Sequence, residues 1–227
     1  MNTVDLKSQS VRDLNRTLHR LPEDSNKISW EVLHPAGQHN IACGLDRKLN
    51  IQVAGHAGYY CAGMNKRAVV TVAGNVGVGV AENMMSGNVY VQGNAGQSAG
   101  ATAHGGLLVI DGDAAARCGI SMKGIDIVVH GNIGHMSAFM AQSGNLVVLG
   151  DAGDALGDSL YEANLFVRGS VKSLGSDCIE KNIRPEHLET LDRLLVQSDA
   201  DAVPADFKRY GSARQLYNFN VDNAFAY

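Results

Sequence analysis

A glycine recurs every 19 residues through the middle of the chain, and this spacing limits the accessible folds more than any other sequence feature. Each of these glycines follows a short apolar run, and seven of them recur in phase without an insertion. This glycine column consists of Gly55, Gly74, Gly93, Gly112, Gly131, Gly150 and Gly169. Nineteen residues are too few for a strand, a full helix and their loops, but they suit one coil of a stacked solenoid.

The positions before each column glycine are apolar with a period of two. Two residues before the glycines stand Val53, Val72, Val91, Ile110, Val129, Val148 and Val167, and four residues before them stand Ile51, Val70, Val89, Leu108, Ile127, Leu146 and Leu165. A spacing of two places both sets on one face of a short strand. The repeat therefore predicts an all-β solenoid, a parallel β-helix of about seven coils with about 19 residues per coil. The preference of parallel crossovers for one hand favours a right-handed coil.

Polar turn residues follow the glycines directly. This polar column consists of His56, Asn75, Asn94, Asp113, Asn132, Asp151 and Ser170. Glycine frees the backbone at a turn, and Asn or Asp tolerates left-handed conformations. Such a column could ligate a cation, although a ladder of turn residues is the ordinary explanation. The stretch VAGNVGVGVAEN, residues 72–83, is similar to a phosphate-binding loop, but a phosphate needs one such loop and the glycine recurs in every coil.

The segments outside the repeat contain helical patterns. Residues 1–40 are predicted to form an N-terminal helical cap or arm, in which Ser10 precedes the amphipathic stretch VRDLNRTLHRL, and the stretch from residue 29 onward could form an irregular first coil. Residues 41–180 are assigned to the β-helix. Residues 181–227 are predicted to contain a helix that begins near Pro185 and then an aromatic docking tail.

An apolar stripe and an aromatic tail form the predicted interface. The residues three positions before the glycines become apolar from the third coil onward, and we call these the outer stripe: Tyr90, Val109, Val128, Val147 and Phe166. The last 21 residues hold six of the 13 aromatic residues of the chain: Phe207, Tyr210, Tyr217, Phe219, Phe225 and Tyr227. A stripe of this kind is normally covered. From the sequence alone, the cover could be the chain's own tail or helix, or a partner subunit.

Composition excludes several classes of protein. The net charge of −4 provides no basic footprint for nucleic acid, and no apolar run is long enough to span a membrane. The N-terminus lacks the apolar core of a signal peptide, which predicts a cytoplasmic protein. The four cysteines, Cys43, Cys61, Cys118 and Cys178, form no CxxC pair, so we expect buried thiols and no structural zinc site.

One pair of residues has catalytic chemistry. Asp111 and His130 each stand one position before a column glycine, so they should stack as neighbours on an outer face about 5 Å apart. A carboxylate at this distance could tune a histidine general base, whereas an exposed ladder pair is the simpler interpretation. No serine or cysteine nucleophile shares their column. The sequence thus predicts no catalytic, cofactor-binding or metal-binding residues in this chain.

Three segments resemble a known family. GNAGQSAGA (Gly93–Ala101), FMAQSGNLVVLGDAG (Phe139–Gly153) and RYGSARQLYNF (Arg209–Phe219) resemble elements of the GXGXG β-helix domain of the glutamate synthase large subunit, and the resemblance covers about residues 41–220. The chain holds no amidotransferase or FMN-barrel region. It is therefore most similar to the stand-alone β-helix subunit of N-methylglutamate synthase, the methylamine–glutamate N-methyltransferase.

The resemblance implies a non-catalytic subunit of a hetero-oligomeric enzyme. In that family an amidotransferase-like subunit and an FMN-binding synthase-like subunit with an iron–sulfur cluster carry the chemistry, which converts methylamine and L-glutamate to N-methyl-L-glutamate and ammonia. The β-helix would hold those partners in register. Alternatives are the β-helix of glutamate synthase proper, a formylmethanofuran dehydrogenase subunit with a related β-helix, and a β-helix enzyme that acts alone.

Overall fold

A computed structural model describes residues 1–22 and 24–214, and its main feature is one sheet of stacked short strands. The strands are β1 (Asn2–Asp5), β2 (Ser29–Leu33), β3 (Asn50–Val53), β4 (Val69–Val72), β5 (Asn88–Val91), β6 (Leu107–Ile110), β7 (Lys123–Val129), β8 (Ser143–Val148), β9 (Asn164–Val167), β10 (Cys178–Lys181) and β11 (Lys208–Ser212). The helices are α1 (Val11–His19) and α2 (Pro185–Gln197), with a 3-10 helix at Pro204–Asp206. The strand order is β1-β2-β3-β4-β5-β6-β7-β8-β9-β11-β10.

The pairing register confirms the predicted right-handed β-solenoid. From β3 to β9 each strand pairs in parallel with the next, and the paired residues are 19 positions apart, as for Val70 with Val89 and Leu108 with Ile127. The exception is Lys123 with Ser143, 20 positions apart, before a register shift that ends at Asp126. The aliphatic side chains two and four positions before the column glycines are buried in the solenoid interior. A second line of parallel bridges joins residues two positions after the glycines: Ala57, Val76, Ala95, Ala114, Ile133, Ala152 and Val171. Each coil is therefore fastened to its neighbours on more than one face.

The column glycines are required by close packing. Among them only Gly55 has a positive φ, of 140°. A Cβ atom on Gly74, Gly93, Gly112 or the later column glycines would lie closer than 3.0 Å to the polar-column side chain of the preceding coil. The expectation that these glycines free the backbone is thus corrected, because the stacked polar side chains occupy the space that a Cβ would need.

A segment of alternating backbone handedness closes each coil. Five, seven and nine positions after the glycine, φ is positive in all six coils from Gly55 to Gly150, at Tyr60, Ala62, Met64, Gly79, Ala81, Asn83, Ser98, Gly100, Thr102, Arg117, Gly119, Ser121, Met136, Ala138, Met140, Ala155, Gly157 and Ser159. We call these the left-handed positions. The Ser98 N–H donates to Ala116 O in the next coil at 3.0 Å, whereas the Gly100 N–H donates to Val80 O in the preceding coil at 2.8 Å. The alternation sends successive N–H groups to opposite neighbours, so this non-strand backbone is also hydrogen-bonded.

The N-terminal residues extend the sheet as well as forming a helix. Strand β1 pairs with β2 and β2 with β3, with paired residues 28 and 21 positions apart. These coils lack the 19-residue spacing, which is why the repeat does not reveal them. Helix α1 begins after Ser10, whose Oγ accepts the Asp13 N–H at 3.1 Å, and its Leu14 and Leu18 are fully buried in the solenoid core.

The C-terminal residues end the sheet with a reversal of direction. Strand β11 lies between β9 and β10 and runs antiparallel to both. Helix α2 begins at Pro185, the residue predicted from the sequence, and its Leu191, Leu194 and Leu195 are buried. The last pairs of the solenoid are therefore made by a strand that comes from beyond α2 in the sequence.

Candidate functional site

The outer stripe is covered by the chain's own C-terminal residues. Val109, Val128, Val147 and Phe166 form a second apolar cluster, outside the solenoid interior, with three leucines of α2 and with Phe207, and Tyr90 is half-buried at its edge. The Arg193 guanidinium of α2 lies 3.1 Å from the Asp126 carboxylate of β7. The hypothesis that the stripe contacts a partner is therefore corrected, because α2 already removes its apolar surface from water.

The predicted tail is buried where the structure describes it. Phe207 belongs to the cluster beneath α2, and Tyr210 of β11 is buried against the solenoid core. These two side chains are unavailable to a partner. Tyr217, Phe219, Phe225 and Tyr227 lie outside the described residues, so their interface assignment stays a prediction.

Asp111 and His130 are neighbours, as the repeat predicts. His130 Nδ1 lies 3.7 Å from Asp111 Oδ1, which is beyond a hydrogen bond, and half of the Asp111 side chain is exposed. Nε2 of His130 is buried and has no hydrogen-bond partner within residues 1–22 and 24–214. The pair lacks an aligned hydrogen bond and a nucleophile in its column, so its geometry fits a weak surface interaction.

The polar column forms a continuous hydrogen-bonded ladder. The Asn94 N–H donates to Asn75 Oδ1 at 2.9 Å, and the Asp113 N–H donates to Asn94 Oδ1 at 2.8 Å. The same link repeats from His56 through to Ser170. At Asp151 these hydrogen bonds from Ser170 hold the carboxyl pKa below its usual range. Each link uses one side-chain oxygen or ring nitrogen of the column, and of the carboxylates Asp113 and Asp151 it is Oδ1 that accepts the next coil's backbone N–H.

The thiols are poorly placed for chemistry. Burial raises the pKa of Cys61 and Cys118 to about 12, and that of Cys43 and Cys178 to about 11. All four are free, as predicted, and Cys43 is half-buried where the others are buried. Within the part of the chain that the structure describes, no three His, Cys, Asp or Glu side chains are grouped to hold a metal ion.

A basic groove that the sequence patterns did not reveal runs along α1. Its volume is about 540 Å³, and its lining is Val11, Arg12, Asn15, Arg16, His19, Arg20, His39 and Asn40. The three arginines stand at i, i+4 and i+8, on one face of the helix. That spacing is visible in the sequence, but the opposite wall comes from the irregular coil around His39, which has no repeat to place it.

Polar contacts hold the two walls of this groove together. The Asn15 side chain donates to Asn40 O at 2.7 Å and accepts the Ala42 N–H at 3.0 Å. The His19 ring nitrogen Nε2 lies 2.8 Å from Cys43 O. The groove is therefore part of the folded N-terminal end of the solenoid.

Comparison with known proteins gives two matches of different extent. A family model described as bacteriophage peptidoglycan hydrolase matches residues 43–153, which is less than half of the chain. The whole chain is 65% identical over 228 residues to protein GlxC of Rhizobium meliloti (strain 1021), with 100% of both chains covered. No solved structure matches the chain significantly. Neither helix among the described residues is long and apolar enough to cross a membrane.

Proposed function

The chain belongs to the family of protein GlxC, and from this premise we propose that it is a structural subunit of a glutamate-synthase-like complex. The complex would be an N-methylglutamate synthase, in which this chain carries no catalytic residue. The sequence elements similar to the GXGXG domain support the assignment, and they include the stretch Gly93–Ala101.

The single observation that carries the proposal is the filled interior of the solenoid. Two aliphatic residues per coil and the small residues of the second ladder pack into one continuous buried cluster. A close-packed aliphatic core has no room for a substrate. The proposed role of such a rod is to fix the distance between subunits that bind to its surface.

The proposed partners are the subunits that the family implies. One is amidotransferase-like, and the other is synthase-like and binds FMN and an iron–sulfur cluster. Because α2 covers the outer stripe, these partners would bind other surfaces, such as the left-handed positions, where Tyr60, Met64 and Met140 are exposed. The proposal places the assembly in the cytoplasm.

Co-expression with the two partner subunits tests this function. We expect a tagged chain to capture both, and the three to elute together in size exclusion with flavin absorbance. The assembled complex should form N-methylglutamate from methylamine and glutamate, and omission of this chain should abolish assembly. Elution of the chain alone in the presence of both partners would contradict the proposal. Co-purification of molybdopterin subunits would instead favour formylmethanofuran dehydrogenase, and glutamate synthesis without methylamine would favour glutamate synthase proper.

A stand-alone hydrolase is the second candidate, favoured by the match over residues 43–153. That segment contains the Asp111–His130 pair, and a hydrolase there would depend on it, because the pKa values of Cys43, Cys61 and Cys118 are all raised by burial. Purified chain would then clear a peptidoglycan suspension, and Asp111→Asn or His130→Gln would abolish the clearing. We expect no clearing, and we expect both variants to leave the three-subunit complex active.

A further inference from the structure

We propose that the groove along α1 is the docking site for an acidic segment of a partner polypeptide. The groove is lined by three arginines and two histidines, and its described lining contains no Asp or Glu. The inference rests on the proposed function in one respect, because it names the chemistry by which a partner subunit would recognise this end of the solenoid.

The cations of the groove are largely uncompensated. Arg12 and Arg20 are exposed, and their side chains make no hydrogen bond or ion pair with the described residues. Arg16 pairs with Asp13 at 3.2 Å, and both of these side chains are about half exposed. An exposed ion pair of this kind contributes little to the stability of the protein. Arg16 can therefore exchange Asp13 for a carboxylate that enters the groove.

The three guanidinium groups form a row of suitable length. Arg12 and Arg20 are eight residues apart on one helix face, which corresponds to a rise of about 12 Å. Three or four residues of an extended polypeptide span that distance. Guanidinium groups bind carboxylates through paired N–H donors, so a segment with two or three Asp or Glu side chains fits the row.

The opposite wall supplies aromatic and polar surface at a defined position. The His39 ring stacks on the half-exposed Tyr59 ring, with centroids 4.5 Å apart and an interplanar angle of 16°. His39 Nδ1 accepts the Tyr59 N–H at 2.9 Å, so in this arrangement the other ring nitrogen carries the proton and is a donor. A side chain that enters the groove would meet a ring held in a defined orientation.

Charge along the chain favours an acidic polypeptide over a nucleic acid. Residues 1–67 contain nine Lys and Arg against six Asp and Glu, a net charge of +3, whereas residues 68–227 contain ten against seventeen, a net charge of −7. A long polyanion that extended beyond the groove would be repelled by the rest of the solenoid. A short acidic segment would contact only the basic end.

A fluorescein-labelled oligoglutamate peptide, titrated into the full-length protein at low ionic strength, tests the site. We expect saturable binding that Arg12→Gln/Arg20→Gln weakens about tenfold, and that added salt also weakens. The matched control, Arg117→Gln/Lys123→Gln, removes two exposed cations elsewhere on the solenoid and should bind like the wild type. Equal loss in both double variants, or no loss in either, would overturn the site.

Two further measurements separate the ligand class and the proposed function. Tighter binding of a single-stranded oligonucleotide of equal charge than of oligoglutamate, with the same dependence on Arg12 and Arg20, would overturn the polypeptide assignment. In the co-expression experiment, the groove inference requires Arg12→Gln/Arg20→Gln to lose at least one partner subunit that the wild type captures. Full capture of both partners by this variant would contradict the groove inference and would be consistent with the scaffold role. Failure of the wild type to capture either partner would contradict the scaffold role. The peptide titration alone would then test whether the groove binds acidic segments.

Discussion

At the scale of single residues, the polar column and the glycine column depend on each other. Each polar side chain accepts a backbone N–H from the next coil, and it does so from the space next to that coil's glycine. The glycine is therefore needed because of a side chain 18 residues earlier in the sequence. This coupling explains why the glycine column persists where the backbone has no positive φ.

Gly112→Ala tests this coupling. The new methyl group would overlap Asn94 Oδ1 and crowd Gly93 O, so we expect the free energy of unfolding to fall by about 1–3 kcal/mol in chemical denaturation. Gly211→Ala is the control, because its methyl group would meet only flexible side-chain atoms such as Lys181 Cδ, and it should cost about 0.5 kcal/mol or less. Equal costs for the two substitutions would contradict the role of the ladder.

At a left-handed position, substitution to glycine should raise the stability of the protein, whereas Gly112→Ala lowers it. Arg117 is exposed with φ of 61°, a conformation that costs a residue with a Cβ about 1–2 kcal/mol, while glycine's greater loss of entropy costs about 0.5–1 kcal/mol. Arg117→Gly should therefore raise the free energy of unfolding by about 0.5–1 kcal/mol. Arg117→Ala removes every side-chain atom beyond Cβ but keeps Cβ itself, so it should show no gain. A glycine variant no more stable than the alanine variant would refute the argument.

These positions also mark the limit of prediction at this scale. The strand face could be predicted because its aliphatic residues match an extended conformation with a period of two. The position of the polar column could be predicted from its register, but its residues lack the left-handed φ that their types suggested. Tyr60, Arg117 and Met136 have side chains that ordinarily disfavour positive φ, so nothing in their identity indicates the left-handed segment. Their conformation comes from the hydrogen bonds between stacked coils, which only the assembled solenoid supplies.

At the scale of elements, α2 and the outer stripe are complementary surfaces of one chain. Both were predictable separately: the helix from its leucine spacing and Pro185, the stripe from its 19-residue register. Their contact was not, because no local pattern links Leu191 or Leu194 to Val128. The basic groove was not predicted for a similar reason. Its arginines follow a helical period, but its second wall lies in a coil without the 19-residue repeat.

His187, in the first turn of α2, should make the free energy of unfolding depend on pH. The pKa of His187 is lowered chiefly by burial and further by the charges of Arg209 and Arg184, and its Nδ1 accepts the Arg184 N–H at 3.0 Å. The unfolded chain therefore binds the proton more readily than the folded chain. The contribution of His187 to stability is complete above the unfolded pKa of 6.5 and is lost as pH falls from there through the folded pKa.

The pH dependence can be measured by denaturant unfolding at about pH 7.5 and about pH 5.5, on either side of the ordinary histidine pKa. The wild type should lose more stability over this interval than His187→Gln. Leu188→Gln, one residue along the same helix turn, keeps the histidine and should retain the wild-type difference. An identical loss for the wild type and His187→Gln would exclude His187 as the source.

At the scale of the whole molecule, the constant register makes each coil a removable unit. Deletion of residues 55–73 takes out 19 residues and joins Ala54 to Gly74, so every later column keeps its phase. We expect a cooperatively unfolding monomer with native-like circular dichroism and reduced stability, since nearest-neighbour contacts are lost for one coil only. Deletion of residues 55–72, one fewer, shifts the phase by one residue and turns inward side chains outward, so it should fail to fold. Similar behaviour of both deletions would contradict the fixed register.

The reversed strand β11 has a consequence for self-association. A parallel stack ends in unpaired backbone groups, and identical coils from another molecule could continue it without limit, as in amyloid. Because β11 inserts antiparallel between β9 and β10, the strand at this edge of the sheet is the short β10, which no longer follows the 19-residue register, so an incoming coil finds no template in phase there. The inserted strand should therefore hinder end-to-end polymerisation at this edge, because it ends the repeat that a second molecule would have to continue.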